Sequence, residues 1–156
     1  MVQQGVLYSA RCKYAIRAAI FLVRHPGGAV SSQIAHQCGL APPWSLARIL
    51  GCLAQNGILS SSSGTQGGFV LRRDPADIRL LDIVEALDPE SCSRECAMGY
   101  SQCFPGDPCA MHDSWQKVRT CIQAYLRETT IAELARTPKR VELPRSRVRR
   151  KEGTTA

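Results

Sequence analysis

The chain of 156 residues has a formal net charge of +7, eight cysteines and a hydrophobic fraction of 44%. A chain of this length can bury roughly two thirds of its unfolded surface, so disulfides are not needed to stabilise its core. The apolar run at residues 15–23 contains Arg17, which argues against a signal peptide and a membrane span. The chain also lacks a Ser-His-Asp set, a carboxylate pair or a phosphate-binding loop, so we expect no enzyme. We expect a cytoplasmic protein, and in that reducing compartment grouped cysteines are more often metal ligands than disulfides.

Charge divides the chain into three segments. Residues 1–73 carry seven Arg and Lys and no Asp or Glu, whereas residues 74–135 carry five basic and eleven acidic residues. Residues 136–156 are again basic, with eight Arg and Lys against two Glu. An acid-free segment suits a polyanion such as DNA, and its acidic neighbour does not. We therefore predict a DNA-binding domain at 1–73, a second unit at 74–135 and a disordered basic tail at 136–156.

Three helices are predicted in the first segment. Apolar spacing predicts a helix over residues 8–25, a second begins where Ser31 or Ser32 can cap it, and a third covers residues 43–55. Gly39 is placed to end the second helix. Two short helices joined by a tight turn containing glycine are typical of a helix-turn-helix.

A hairpin is predicted directly after these helices. Residues 58–61 and 69–71 are strand-like, and the glycines between them permit a tight turn. A helix, a helix-turn-helix and a glycine-rich hairpin on an acid-free segment predict a winged-helix DNA-binding domain. A winged helix that contacts another protein is the alternative, because fold does not determine function.

Four motifs stand out along the chain: KYAIRAAIFL in the first helix, LARILGCLAQNGIL in the third, SGTQGGFVL in the hairpin and IRLLDIVEALD, a predicted connector helix, after it. Together they resemble a known family of transcription regulators, the one that includes IscR, NsrR and RirA. The resemblance implies a mainly α fold with a small β-wing: a winged helix-turn-helix domain, a cysteine-rich loop and a long dimerisation helix. It also implies a homodimer, and many members of the family carry an iron-sulfur cluster.

Base contacts are expected on the exposed N-terminal half of the third helix, if that helix enters the major groove. Arg48 is the main candidate, because a guanidinium can bond two acceptors of guanine at once; a solvated surface charge is the alternative. Ser63 stands in the hairpin where the family often carries an arginine, so minor-groove insertion is not expected there. The full set of predicted DNA contacts is Trp44, Ser45 and Arg48 on the third helix, Arg11, Lys13 and Arg17 on the first, and Thr65 and Gln66 in the hairpin.

Residues 91–112 combine four cysteines and a histidine with no apolar period, namely Cys92, Cys96, Cys103, Cys109 and His112. Core packing does not explain such a group of thiols, so we predict a metal centre. Zinc usually takes paired C-x2-4-C knuckles, and only Cys92 and Cys96 are spaced in this way. Iron-sulfur clusters accept irregular loops and can take histidine in place of cysteine. The spacing leaves both centres open and leans towards the cluster.

The later part of this loop, Cys103-x5-Cys109-x2-His112, is similar to the loop in which the family ligates its cluster. The resemblance implies a 2Fe-2S cluster on Cys96, Cys103, Cys109 and either His112 or Cys92. A 4Fe-4S cluster, zinc or a disulfide switch of unligated thiols are alternatives. A small redox or electron-transfer protein is a further alternative, although it would not need an acid-free first half.

A last long helix is predicted over residues 113–127. Its apolar stripe consists of Trp115, Val118, Ile122, Tyr125 and Leu126 at spacings of three and four. The resemblance implies that this helix forms a two-fold dimer, which would present two recognition helices to a palindromic operator in double-stranded DNA. Thr130-x-x-Glu133 predicts a capping box for a final short helix. We predict that the remaining cysteines, Cys12, Cys38, Cys52 and Cys121, are packed against apolar residues.

Overall fold

A computed structural model describes residues 7–39, 42–62, 67–89, 98, 100, 106 and 108–137. Within these ranges the chain forms α1 (Ala10–Arg24), α2 (Ser31–Cys38), α3 (Pro43–Gln55), β1 (Leu59–Ser62), β2 (Gly68–Leu71), α4 (Leu80–Leu87), α5 (His112–Glu128) and α6 (Ile131–Arg136). The mainly α fold with a small β-wing is confirmed. The predicted bounds differ from these by two residues or fewer. The predicted basic tail, apart from residues 136 and 137, lies outside the described residues.

Helix α1 is the centre of the fold. Ser9 caps it, since its side chain accepts a hydrogen bond from the backbone N–H of Cys12 at 3.4 Å. One side of α1, from Cys12 to Leu22, is buried, and the helix contacts α2, α3, α4, α6 and β2. Five of the seven other elements are therefore positioned by direct contact with α1.

Helices α2 and α3 form the predicted helix-turn-helix. Gly39 ends α2 in the left-handed conformation with φ 58°, as expected for a glycine after a helix. The predicted serine cap is wrong, because Val30 occupies the N-cap position without a side-chain bond and Ser31 is already helical. Pro43 lies in the first turn of α3, where its missing N–H has no cost.

The wing is an antiparallel hairpin in which Leu59 pairs with Leu71 and Ser62 with Gly68. Ala29 adds a short third pairing: its N–H donates to Phe69 O at 3.1 Å and its O accepts from Phe69 N at 2.9 Å. A Cβ on Gly68 would lie 2.8 Å from Ala29 O. Glycine at position 68 therefore allows the wing to approach the residues that precede α2.

The C-terminal part of the chain returns to α1 and to the residues at the start of α4. Leu80 N donates to Thr129 O at 3.0 Å, and Ile131 N donates to Ile78 O at 2.9 Å. Helix α6 packs on α1, and Leu126 and Ile131 are fully buried. The hydrophobic core is therefore continuous across residue 73, where the charge changes sign.

Helix α6 begins with the predicted capping box. Thr130 N donates to Glu133 Oε2 at 3.0 Å, and Glu133 N donates to Thr130 Oγ1 at 3.2 Å. This reciprocal pair satisfies two N–H groups at the start of the helix. The capping box thus fixes where α6 begins, directly before the helix packs on α1.

Candidate nucleic-acid interface and cysteine site

The N-terminal half of α3 presents two large side chains outward. Trp44 is 69% exposed and Arg48 is also exposed, whereas Leu46 and Leu50 are fully buried. Residues four apart lie on the same side of a helix, so the indole and the guanidinium form one surface. Ser45 is half-buried beside them, and its N–H donates to Pro42 O at 2.9 Å. The side of α3 opposite the core therefore presents an exposed indole and an exposed guanidinium to solvent.

The three cations predicted on α1 to contact DNA do not share one environment. Arg11 and Lys13 are exposed, whereas Arg17 is half-buried and its Nη2 donates to the backbone oxygen of Cys38. Cys38 is the last residue of α2, and a cation at a helix C-terminus is favourable. Arg17 thus connects α1 to α2 within the fold, while Arg11 and Lys13 reach solvent.

The predicted wing contacts Thr65 and Gln66 lie outside the described residues. At the base of the wing, Arg73 Nη2 forms an ion pair with Asp82 Oδ2 at 2.5 Å. Arg72 is exposed beside it, and the sequence pattern did not single it out. The sequence feature that could have indicated a DNA contact at Arg72 is its position in the acid-free segment, directly after the second wing strand.

Two of the five predicted metal ligands are described. Cys109 is half-buried, His112 is the first residue of α5, and His112 N donates to Cys109 O at 2.9 Å. This turn places a thiol and an imidazole at the start of α5, and both are donors that suit zinc or an iron-sulfur centre. Cys92, Cys96 and Cys103 lie outside the described residues, and the described ones alone form no group of three or more ligands.

Three cysteines outside the loop are packed as predicted. Cys12 and Cys38 are buried, and the half-buried Cys52 donates its S–H to Ala86 O at 3.2 Å. Burial raises the pKa of the Cys12 thiol to about 12, with a further contribution from a hydrogen bond to Asp88, and burial also raises the pKa of Cys38. These two groups therefore stay as thiols at neutral pH, which makes them poor nucleophiles and poor metal ligands.

The prediction that Cys121 is packed is wrong, because this residue of α5 is exposed. The predicted stripe of α5 divides in two: Ile122 and Leu126 are buried, whereas Val118 is 47% exposed and Tyr125 is 44% exposed. Only the side of α5 that bears Ile122 and Leu126 faces the core of this chain. Cys121 lies beside Val118 and Tyr125 on the outer side.

The outer side of α5 is apolar over two further turns. Met111, directly before α5, is 44% exposed, and it precedes Val118 and Tyr125 at intervals of seven residues. Residues seven apart fall on one face of a helix, so these three side chains form a row of exposed apolar groups, the outer seam of α5. Among the described residues, no helix has both the length and the hydropathy needed to cross a membrane.

Comparison with known proteins agrees with this geometry. The IscR regulator of Serratia proteamaculans is 27% identical over 128 residues, which cover 81% of this chain and 77% of that protein. The solved structure of T. potens IscR matches with a TM-score of 0.64 and 29% identity, over 83% of this chain and 86% of the other. The oxidized form of Staphylococcus aureus CymR matches with a TM-score of 0.66 and 25% identity, over 85% and 98% of the two chains.

A family model described as Rrf2, iron-dependent transcriptional regulator, matches residues 8–137. This match confirms the resemblance expected from the motifs, and the solved relatives confirm the winged-helix fold. The family consists of DNA-binding transcription regulators, so the prediction that the chain is not an enzyme is also confirmed. The chain belongs to the Rrf2 family of iron-dependent transcriptional regulators.

Proposed function

We propose that the protein binds a palindromic operator as a homodimer, and that an iron-sulfur cluster in its cysteine loop alters its affinity for that operator. The observation that carries the proposal is the outward surface of α3, where exposed Trp44 and Arg48 stand on a helix whose other side is in the core. This surface belongs to the half of the chain that has no Asp or Glu. A polyanionic partner therefore meets no repulsion from that half.

Arg48 has the central role in reading sequence. Its exposed guanidinium can form two hydrogen bonds with one guanine, worth about 1–3 kcal/mol of discrimination. Trp44 and Ser45 flank it on α3, and Thr65 and Gln66 extend the contact from the wing. Arg11 and Lys13, which are exposed, serve as phosphate contacts, which position the protein without reading bases. Arg17 serves the fold instead, through its hydrogen bond to Cys38 O.

The outer seam of α5, formed by Met111, Val118 and Tyr125, is the proposed dimer contact. An apolar face of this kind is stabilised by burial, and a second copy offers the same face in a two-fold arrangement. The dimer presents two α3 helices to half-sites about 34–36 Å apart, one turn of DNA.

The cluster would be held by thiolates and one imidazole or a fourth thiolate, from Cys96, Cys103, Cys109 and either His112 or Cys92. The half-buried Cys109 and the adjacent His112 support the proposal, since both are suitable donors at the end of the loop. The family description, an iron-dependent regulator, supports iron over zinc. The cluster is proposed as 2Fe-2S, and its role is to supply a centre that reacts with oxidants or is lost when iron is scarce.

A second candidate is a regulator that responds through its thiols without any metal. CymR of Staphylococcus aureus has been solved in an oxidized form, and Cys121 is an exposed thiol in this chain. In that case disulfide formation, instead of cluster loss, would change DNA binding.

Anaerobic reconstitution with ferrous iron and sulfide separates these candidates. The proposal expects visible absorption, stoichiometric iron and sulfide, and a difference in operator affinity between reconstituted and apo protein at one stated salt concentration. Absence of iron and sulfide, together with a change in affinity on oxidation of the apo protein, would support the thiol regulator. Equal and sequence-independent DNA binding by every form would reject both.

A further inference from the structure

Asp88 links the start of the cysteine loop to the first helix of the DNA-binding domain. It follows α4 directly, and only Pro89 and Glu90 separate it from residues 91–112, the cysteine loop. Its Oδ2 accepts hydrogen bonds from Ser9 N at 3.0 Å and from Cys12 Sγ at 3.1 Å. One carboxylate oxygen therefore receives two donors from the N-terminus of α1, 79 and 76 residues away in sequence.

The environment favours an ionised carboxylate at this point. Burial on its own would raise the pKa of Asp88, but the hydrogen bonds from Ser9 and Cys12 and the charge of Arg11 lower it overall. A negative charge at a helix N-terminus is also stabilised by the helix dipole. Cys12 is 0% exposed, so its S–H bond to Asp88 is shielded from competing water.

Direct contacts continue from this carboxylate to the helix-turn-helix. Helix α4 packs on both α1 and α3, and α1 holds the end of α2 through the hydrogen bond from Arg17 to Cys38 O. The backbone of Asp88 is itself fixed, since its N–H donates to Val84 O at 2.7 Å. A change in the loop that moves residue 88 must therefore break these bonds or displace α1.

We propose that Asp88 is the positioning residue through which the state of the cysteine loop alters the placement of α1, and with it the helix-turn-helix. This inference rests on the proposed function, because it assumes that the loop has a cluster-bound and a cluster-free state. The two states differ in whether Oδ2 keeps both donors. That difference in contact is what lets the loop change the affinity for DNA.

Cys12 allows a matched test on the α1 side of the contact, away from the loop. The full-length protein is prepared apo and reconstituted with ferrous iron and sulfide, and its dissociation constant is measured for a palindromic duplex selected from a random pool by the wild type. The quantity of interest is the ratio of the two constants, expected to be about fivefold or more in the wild type. Asp88→Ala and Cys12→Ala should bring this ratio to within about twofold of one. In Cys12→Ser the hydroxyl can still donate a hydrogen bond to Asp88, so this variant should show the same affinity ratio as the wild type.

Thr130→Ala controls for general loss of stability. It removes the cap of α6, so its Tm should fall, yet its affinity ratio should equal that of the wild type. Hydrogen exchange of the Ser9 amide gives a readout independent of DNA: exchange should differ between apo and reconstituted wild type, and should be fast in both forms of Asp88→Ala.

One outcome would reject the role of Asp88 alone, and another would reject regulation by the cluster. If Cys12→Ala retains the wild-type ratio, or Asp88→Ala does so while loading iron and sulfide normally, the coupling role of Asp88 is rejected and the proposed function stands. If the reconstituted and apo wild type bind the duplex equally, regulation by the cluster is itself rejected, and the coupling with it. Failure of Asp88→Ala to load iron leaves Cys12→Ala as the deciding variant.

Discussion

The guanidinium of Arg17 on α1 donates a hydrogen bond to the backbone oxygen of Cys38, the last residue of α2. The contact fixes the first helix of the DNA-binding motif against the central helix. Two neighbouring cations of α1 thus have different roles, since Lys13 is exposed and Arg17 is half-buried.

Arg17→Ala and Lys13→Ala should separate stability from phosphate contact. Arg17→Ala loses a hydrogen bond from a charged group and should reduce the free energy of unfolding by about 1–3 kcal/mol. Lys13→Ala should leave stability unchanged and reduce the slope of log K against log salt by about one. Denaturant titration and salt-dependent binding check both values. An unchanged Tm in Arg17→Ala would contradict the structural role.

Arg48→Lys should impair sequence discrimination more than overall DNA affinity. Lysine keeps the charge but cannot form the two parallel bonds of a guanidinium, so discrimination should fall by about 1–3 kcal/mol. The measurement is the ratio of affinities for the selected duplex and for a scrambled duplex. Arg127→Lys, an exposed change in the last turn of α5, is the matched control. The same loss of discrimination in both variants would argue against a reading role for Arg48.

Gly68→Ala and Gly51→Ala should change stability in opposite directions. At position 68 the new Cβ would lie 2.8 Å from Ala29 O, so the wing must shift and the free energy of unfolding should fall. At position 51, inside α3, the new Cβ would meet no atom within 4 Å beyond its chain neighbours and the backbone of its own helix, and the substitution should stabilise the helix by roughly 0.5–1 kcal/mol. Thermal denaturation of the two variants tests this pair. Equal stability of Gly68→Ala and the wild type would show that the wing and residue 29 do not approach closely in solution.

Alkaline pH should destabilise the wild type through Cys12. Burial, reinforced by Asp88, raises the pKa of this thiol from 9.0 in its ordinary state to about 12 in the fold. As pH rises, this thiol loses its proton in the unfolded chain before it does so in the folded protein. The contribution of Cys12 to the free energy of unfolding is therefore complete below pH 9.0 and falls as pH rises towards about 12. Denaturant titrations at about pH 8 and about pH 10 should show a larger loss for the wild type than for Cys12→Ser. Burial, Tyr125 and Cys12 raise the pKa of Tyr8, so the substitution also removes the part of that shift that comes from Cys12. Identical losses in the two proteins would contradict the burial of the thiol.

Val118→Asp should dissociate the proposed dimer. The substitution places a charge in the outer seam of α5, where burial by a second copy would leave the charge without a partner. Sedimentation should show a monomer with weakened binding to a palindromic duplex. Lys117→Asp, an exposed position next to the seam, should remain dimeric. If Val118→Asp remains dimeric, the dimer contact does not involve the outer seam of α5.

Local signals explain why the elements were predictable and some contacts were not. Gly39 and Pro43 mark the end of α2 and the start of α3 through backbone conformations that favour those residues, so their bounds could be read directly. Apolar periodicity also predicted α5, but it does not tell which side of the helix meets the core of the same chain. That ambiguity accounts for the error at Cys121.

Long-range hydrogen bonds leave no local signal. Arg17 looks like any other basic residue of a DNA-binding helix, because its acceptor lies 21 residues away. The same holds for Asp88, whose donors on α1 precede it by more than 70 residues. The candidate DNA surface of α3 could therefore be predicted, whereas the contact of Asp88 with the start of α1 required the structure.

The return of residues 129–132 to the first domain has a consequence for synthesis of the protein. Ile131, which is fully buried and bonded to Ile78, is translated after the entire cysteine loop. The ribosome therefore releases all four loop thiols before the core of the DNA-binding domain can be completed. Because chains fold as their core segments become available, the buried core that includes Ile131 is completed only after all of residues 91–112 have been synthesised.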